Sequence, residues 1–86
     1  MPELSRFFGI VIAMYFSEHN PPHFHAIYGE AEVEIDLRSL AIVAGKLPSR
    51  ALGLVMEWAS QHKEDLMLDW DLARSGRIPG KIEPLH

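Results

Sequence analysis

HFHAIYGEAEVEID, residues 23–36, decides the fold. An extended chain sends successive side chains to opposite faces, so Phe24, Ala26 and Tyr28 share one side of a strand while His23, His25 and Ile27 share the other. Gly29 and Glu30 interrupt the run, and glycine is the residue that accepts the positive φ of a tight hairpin turn. Folding back about those two residues pairs Tyr28 with Ala31, Ala26 with Val33 and Phe24 with Ile35, which gathers the apolar side chains on one face. The same register sets His23 opposite Asp36, His25 opposite Glu34 and Ile27 opposite Glu32, a row of imidazole and carboxylate groups on the other face. A three-residue loop with a bulge would shift the pairing by one position and scatter that row.

Upstream, FFGIVIAMYF from Phe7 to Phe16 is apolar at both parities and rich in aromatic and β-branched residues, which predicts one strand buried on both faces. SEHNPP, from Ser17 to Pro22, is a connection. Downstream, Arg38 to Ala44 is expected to add a strand, with Gly45 and Lys46 turning out of it. Pro48 suits the first turn of a helix in which Ala51, Leu54, Val55, Trp58 and His62 recur at helical spacing. Ser60 is placed to cap a second helix from about Gln61 to Arg74, with Leu66, Trp70 and Ala73 as its apolar stripe beside Glu64, Asp65, Asp69 and Asp71. A single kinked helix is the alternative. Gly76 suits a helix stop and Pro79 follows it, leaving residues 77–86 as a C-terminal arm. Strands first and helices second argue an α+β domain: a small antiparallel sheet of three to four strands followed by two helices packed on one face. The other face is left to solvent or a partner.

A chain of 86 residues fills one core, so residues 1–86 are read as a single domain for which self-association or a partner is a natural source of added stability. Eight Lys/Arg against twelve Asp/Glu give a net charge of −4, which disfavours attraction to phosphate backbones and anionic membranes through the overall field. The absence of cysteine removes disulfides, thiolate nucleophiles and thiolate zinc sites, and suits the cytoplasm. The apolar run to Phe16 is about half a bilayer span, so neither a signal peptide nor a membrane helix is expected.

The row on the polar face suggests two chemistries. Neutral imidazoles and carboxylates hold divalent metals, and a carboxylate beside a histidine orients it for acid–base work. His23, His25, Glu34 and Asp36 are the candidates, with His19 or Glu18 as a further ligand. The plainer reading is ordinary cross-strand pairing on the wet face of a half-covered sheet, to which Glu30 and Glu32 also belong. His19 reads as a solvated loop residue, His62 as a histidine at a helix C-terminus, and His86 as the end of the sequence. Arg6, Lys46 and Arg50 are the cations nearest the strand ends, candidates for an anion or a partner and otherwise isolated surface charges. Trp58 and Trp70 fall on helix stripes and read as core. No phosphate-cradling glycine loop, nucleophile elbow or basic–aromatic pattern for single-stranded nucleic acid is present.

SRFFGIVIAMYF, NPPHFHAIYGE, GKLPSRAL, LVMEWASQHKEDLMLDWDLARSG and KIEPL, in that order, closely resemble a bacterial domain-of-unknown-function family, number 4160, from about Pro2 to Leu85. Its PPHFHA block falls on Pro21 to Ala26, and its GKLPxRAL block on Gly45 to Pro48 and Arg50 to Leu52. Ile27 stands where a polar or acidic residue is expected after HFHA. The resemblance implies a small stand-alone bacterial protein, often encoded beside another short gene in a toxin–antitoxin-like cassette, and it brings no catalytic assignment. The leading expectation is therefore a cytoplasmic interaction module acting with the small protein of a neighbouring gene, as one half of a toxin–antitoxin-type pair. A metal-assisted hydrolase or nuclease, with a divalent ion on His23 and His25, is the alternative from another class. A transcriptional regulator comes third, disfavoured by acidic helices.

Overall fold

The computed structural model describes residues 2–16 and 19–86. Its elements run β1 (Glu3–Phe7), β2 (Ile10–Ala13), β3 (His23–Tyr28), β4 (Ala31–Asp36), β5 (Ile42–Lys46), α1 (Ser49–Gln61) and α2 (Lys63–Arg74). The strands form one antiparallel sheet in sequence order. The α+β class is as expected, but among the described residues the sheet has five strands rather than three to four.

The additional strand comes from the apolar run, which is a hairpin and not one strand. Phe8 and Gly9 both adopt positive φ, 49° and 80°, the conformation of a two-residue primed turn that normally takes Asn-Gly. An aromatic residue in that turn disguises it as strand. Phe7 then pairs with Ile10 and Arg6 with Val11. The next boundary also differs from expectation. Arg38 and Ser39 belong to the β4–β5 turn, with Leu40 at φ 62°, while Gly45 and Lys46 lie inside β5. Gly45 has φ +76°, and a Cβ there would collide with the carbonyl oxygen of Glu32, so this strand passes its neighbour at a distance only glycine allows. Val43 is the extra residue of a bulge, since Ala44 pairs with Glu34 and Ile42 with Ile35.

The β3–β4 register is the one the sequence predicts, from His23 opposite Asp36 to Tyr28 opposite Ala31. Its apolar face carries Phe24, Ala26, Val33 and Ile35, is extended by Ile12, Ile10 and Phe7 across the sheet, and is covered by α1. The Trp58 ring lies 5.6 Å from that of Phe7 and 6.1 Å from that of Phe24. Burying Ala51, Val55, Trp58 and Ala59 on one stripe is what holds this uncapped helix in place.

Ser60 does not cap α2. Its hydroxyl donates back to the Glu57 carbonyl, and His62 alone separates the two helices. Glu64 and Asp65 in the first turn and Arg74 in the last suit the helix dipole. Gly76, at φ 80°, ends α2: its N–H donates to the Ala73 carbonyl, and Arg77 N–H donates to that of Leu72, which together satisfy two terminal carbonyls.

The arm after Gly76 folds back on the domain. Gly80 N–H donates to the Asp69 carboxylate at 2.8 Å, Ile82 N–H to the Leu4 carbonyl at 2.8 Å, and the Trp58 indole N–H to the Glu83 carbonyl at 2.7 Å. Ile82 is buried in the core. The arm thus holds β1, α1 and α2 at once. Among the described residues no helix is long and apolar enough to cross a membrane.

Candidate metal centre

His23 is the first residue of β3 and His25 the third, so the pleat sets both rings on the face opposite Phe24 and Ala26. Their centroids are 5.2 Å apart. Both rings lie on the face the register predicts, but that face is neither wet nor turned away from the packed interior. His23 is 7% exposed and His25 3%. Trp70 of α2 covers His23 with ring centroids 5.3 Å apart, and Tyr15, just after β2, covers His25 at 4.2 Å. Both covering residues come from segments whose approach no period-2 argument on β3 reveals.

Buried imidazoles need partners for their nitrogens. His23 Nδ1 lies 2.8 Å from the carbonyl oxygen of Pro21. A carbonyl only accepts, so Nδ1 carries the proton, and in the neutral ring the lone pair sits on Nε2. His25 Nδ1 lies 2.9 Å from Glu32 Oε2 and 3.8 Å from Glu34 Oε1. The nearer carboxylate is the diagonal neighbour, not the residue directly opposite, a relation also available to long side chains across strands. A histidine whose Nδ1–H is held by a carboxylate or a carbonyl is oriented in the way metal-binding imidazoles are.

One ligand atom each from His23, His25 and Glu34 falls within 4.8 Å of the others, close enough for a single divalent ion to gather. Three of the sequence candidates are thereby brought together. Glu32 joins them as the group that orients His25, and because Glu34 is only partly buried the cluster is walled by protein on the ring side and open on the carboxylate side.

The remaining candidates lie elsewhere. Asp36 turns its carboxylate into the β4–β5 turn, where Oδ1 accepts the N–H groups of Arg38 at 2.7 Å and Ser39 at 3.2 Å. Those two bonds, helped by the charge of Arg38, hold its pKa below the usual carboxylate value. His19 is exposed and is not part of the cluster, and Glu18 lies outside the described residues. Arg6 sits on β1 and pairs with Glu3 at 2.8 Å, which lowers the carboxyl pKa of Glu3. Lys46 sits on β5, at the other edge of the sheet, and Arg50 in the first turn of α1. The three cations therefore form no common site. His62 follows α1, as expected of a helix-end histidine, and its Nδ1 lies 3.4 Å from Asp65 Oδ2.

Asp69 escapes sequence reasoning. The sequence sets it with the acids beside the apolar stripe of α2, yet it is 5% exposed, and its position between Leu66 and Ala73, one residue before Trp70, is the signal for the buried stripe. Burial raises its pKa despite the bond from Gly80.

A protein-family model described as "Domain of unknown function (DUF4160)" matches residues 9–71, a span that includes the His–His–Glu cluster and Arg50. No curated protein and no solved structure matches the chain.

Proposed function

The chain belongs to the DUF4160 family, and for this member we propose a divalent-metal-binding domain in which His23, His25 and Glu34 hold one ion and Glu32 orients His25. The supporting observation is the convergence of those three ligands with both Nδ1 nitrogens turned to oxygen acceptors. An ion held by two histidines and a carboxylate would keep coordination positions for water or substrate, and zinc there would supply Lewis-acid chemistry, polarising a carbonyl or phosphoryl oxygen and acidifying bound water. Asp36 has no part in this scheme, because its carboxylate serves the turn.

Metal analysis of tag-free protein by mass spectrometry tests the reading. One equivalent of zinc, manganese or nickel is expected, and metal at a hundredfold excess over Kd should raise Tm by about 10 °C or more. H25A should lose both responses. Metal-free protein whose melting ignores all three ions overturns the proposal, and cleavage of bis-p-nitrophenyl phosphate by the loaded protein decides whether the ion does hydrolysis.

A second reading, a module that works with the small protein of a neighbouring gene in a toxin–antitoxin-type pair, draws support from β5. This strand is exposed along its length with Ile42 and Val43 outward, while the opposite edge is engaged by the arm through Leu4. Contact there runs through side chains, because the bulge at Val43 blunts strand addition. Co-expression with the neighbouring gene product should give a complex that V43D weakens. If the two proteins never co-purify and neither affects growth, this reading falls.

A further inference from the structure

On the face of the sheet opposite the histidines, α1 begins too late to cover the end where the β1–β2 and β3–β4 turns meet. A cavity of about 250 Å³ is left there, walled by Phe8, Ile10, Tyr28, Pro48, Ala51 and Leu54, with Arg50 among them. Its aromatic walls are open to solvent, Phe8 60% and Tyr28 42% exposed. Phe8 is the informative residue. A two-residue primed turn needs positive φ, which a bulky L-residue adopts at a cost and which Asn or Gly adopts readily, so the turn itself has no use for this ring. Nor is the ring hidden in the core. Gly9 lies beside the Tyr28 ring, which a Cβ there would approach to 3.4 Å. Arg50 makes no ion pair among the described residues, and the first turn of α1 contains no acid to neutralise it.

We propose that this cavity is a docking site for a segment of a partner protein that presents one bulky apolar side chain beside a carboxylate. Charge complementarity to Arg50, on a protein that is acidic overall, selects the carboxylate. Size selects the single anchor, because the cavity falls below the roughly 300–1,000 Å³ of small-molecule pockets and suits one large side chain. Exposed Phe, Tyr and Arg around such a hollow are residue types enriched at protein interfaces. The site lies across the sheet from the His–His–Glu cluster and stands whether or not a metal binds.

Amide-resolved NMR titration of the full chain tests it, with chelator present so that no carboxylate responds through a metal. The probes are the blocked peptide Ac-Ala-Phe-Glu-Ala-NH2, its Gln counterpart and free N-acetylphenylalanine. The acidic peptide should shift the amides of Gly9, Tyr28, Arg50 and Ala51 and bind roughly tenfold tighter than the Gln peptide. R50Q should erase that difference. F8N should melt at a higher temperature than the wild type and yet bind the acidic peptide several-fold more weakly, a combination that a purely structural role for Phe8 would not give. Absence of shifts at those amides at millimolar peptide, equal affinity for the Glu and Gln peptides, or unimpaired binding by F8N overturns the proposal. Binding of free N-acetylphenylalanine without the blocked peptide also overturns it, by making the cavity a site for small acids.

Discussion

Two aspartates titrate in opposite senses, and the acid side of the stability curve should show both. Asp69 has a raised pKa in the folded protein because burial penalises its charge, so the folded state takes up a proton before the unfolded chain does. Its effect is to make stability rise as pH falls from neutrality through the raised value toward about 4. D69N keeps an acceptor for Gly80 N–H but cannot ionise, so it should melt higher than the wild type at neutral pH and show a flatter profile in that window, measured by thermal unfolding at a series of pH values. Asp36 has a lowered pKa, so its contribution is complete above the ordinary carboxylate value and is lost as pH falls through the lowered one. D36A should cost about 1–2 kcal/mol in urea unfolding at neutral pH, since two turn N–H groups lose their acceptor, and most of that penalty should vanish in strong acid. At this scale the parity of His23 and His25 was legible in the sequence. The covers were not: Tyr15 and Trp70 reach the rings from either side in the chain, and only tertiary packing places them there.

Among the elements, the β3–β4 hairpin could be read residue by residue because Gly29 punctuates it and the apolar alternation leaves one register that buries Phe24, Ala26, Val33 and Ile35 together. The β1–β2 hairpin could not, since Phe8 occupies a turn position that normally announces itself with Asn or Gly, and both flanks are apolar. β5 misled for a related reason: a glycine commonly marks the end of a strand, whereas Gly45 lies within one, against the backbone of Glu32. G45A should therefore cost about 2 kcal/mol or more, combining a positive φ with a backbone collision. Because β5 is an exposed edge, the loss should be local. Hydrogen exchange of the amides from Ile42 to Lys46 should accelerate far more than that of β3, and equal acceleration of both would show that the sheet opens as one unit.

For the whole molecule, the arm is the piece that composition understated. Residues 77–86, an arm in the sequence reading, supply Ile82 to the core and three hydrogen bonds that bind the first strand and both helices. Removing them should cost about 4–6 kcal/mol, from one buried Ile at about 1.5–3 and three bonds at about 1 each. For a small domain whose total stability is of order 5–15 kcal/mol, that truncation should leave a loosely folded protein with a broad melt and increased dye binding, checked by circular dichroism and fluorescence. The α+β class does not depend on how the arm packs, because it rests on the order of strands and helices.

The kink that Val43 and Gly45 put into the last strand has one more consequence. A straight, apolar border of this kind would template the next chain and the one after it, the route by which soluble sheets become fibrils. Twisted out of line, the same border can be recognised by a shaped surface yet cannot be copied, so a substitution that flattens it should first be noticed as turbidity in concentrated stocks.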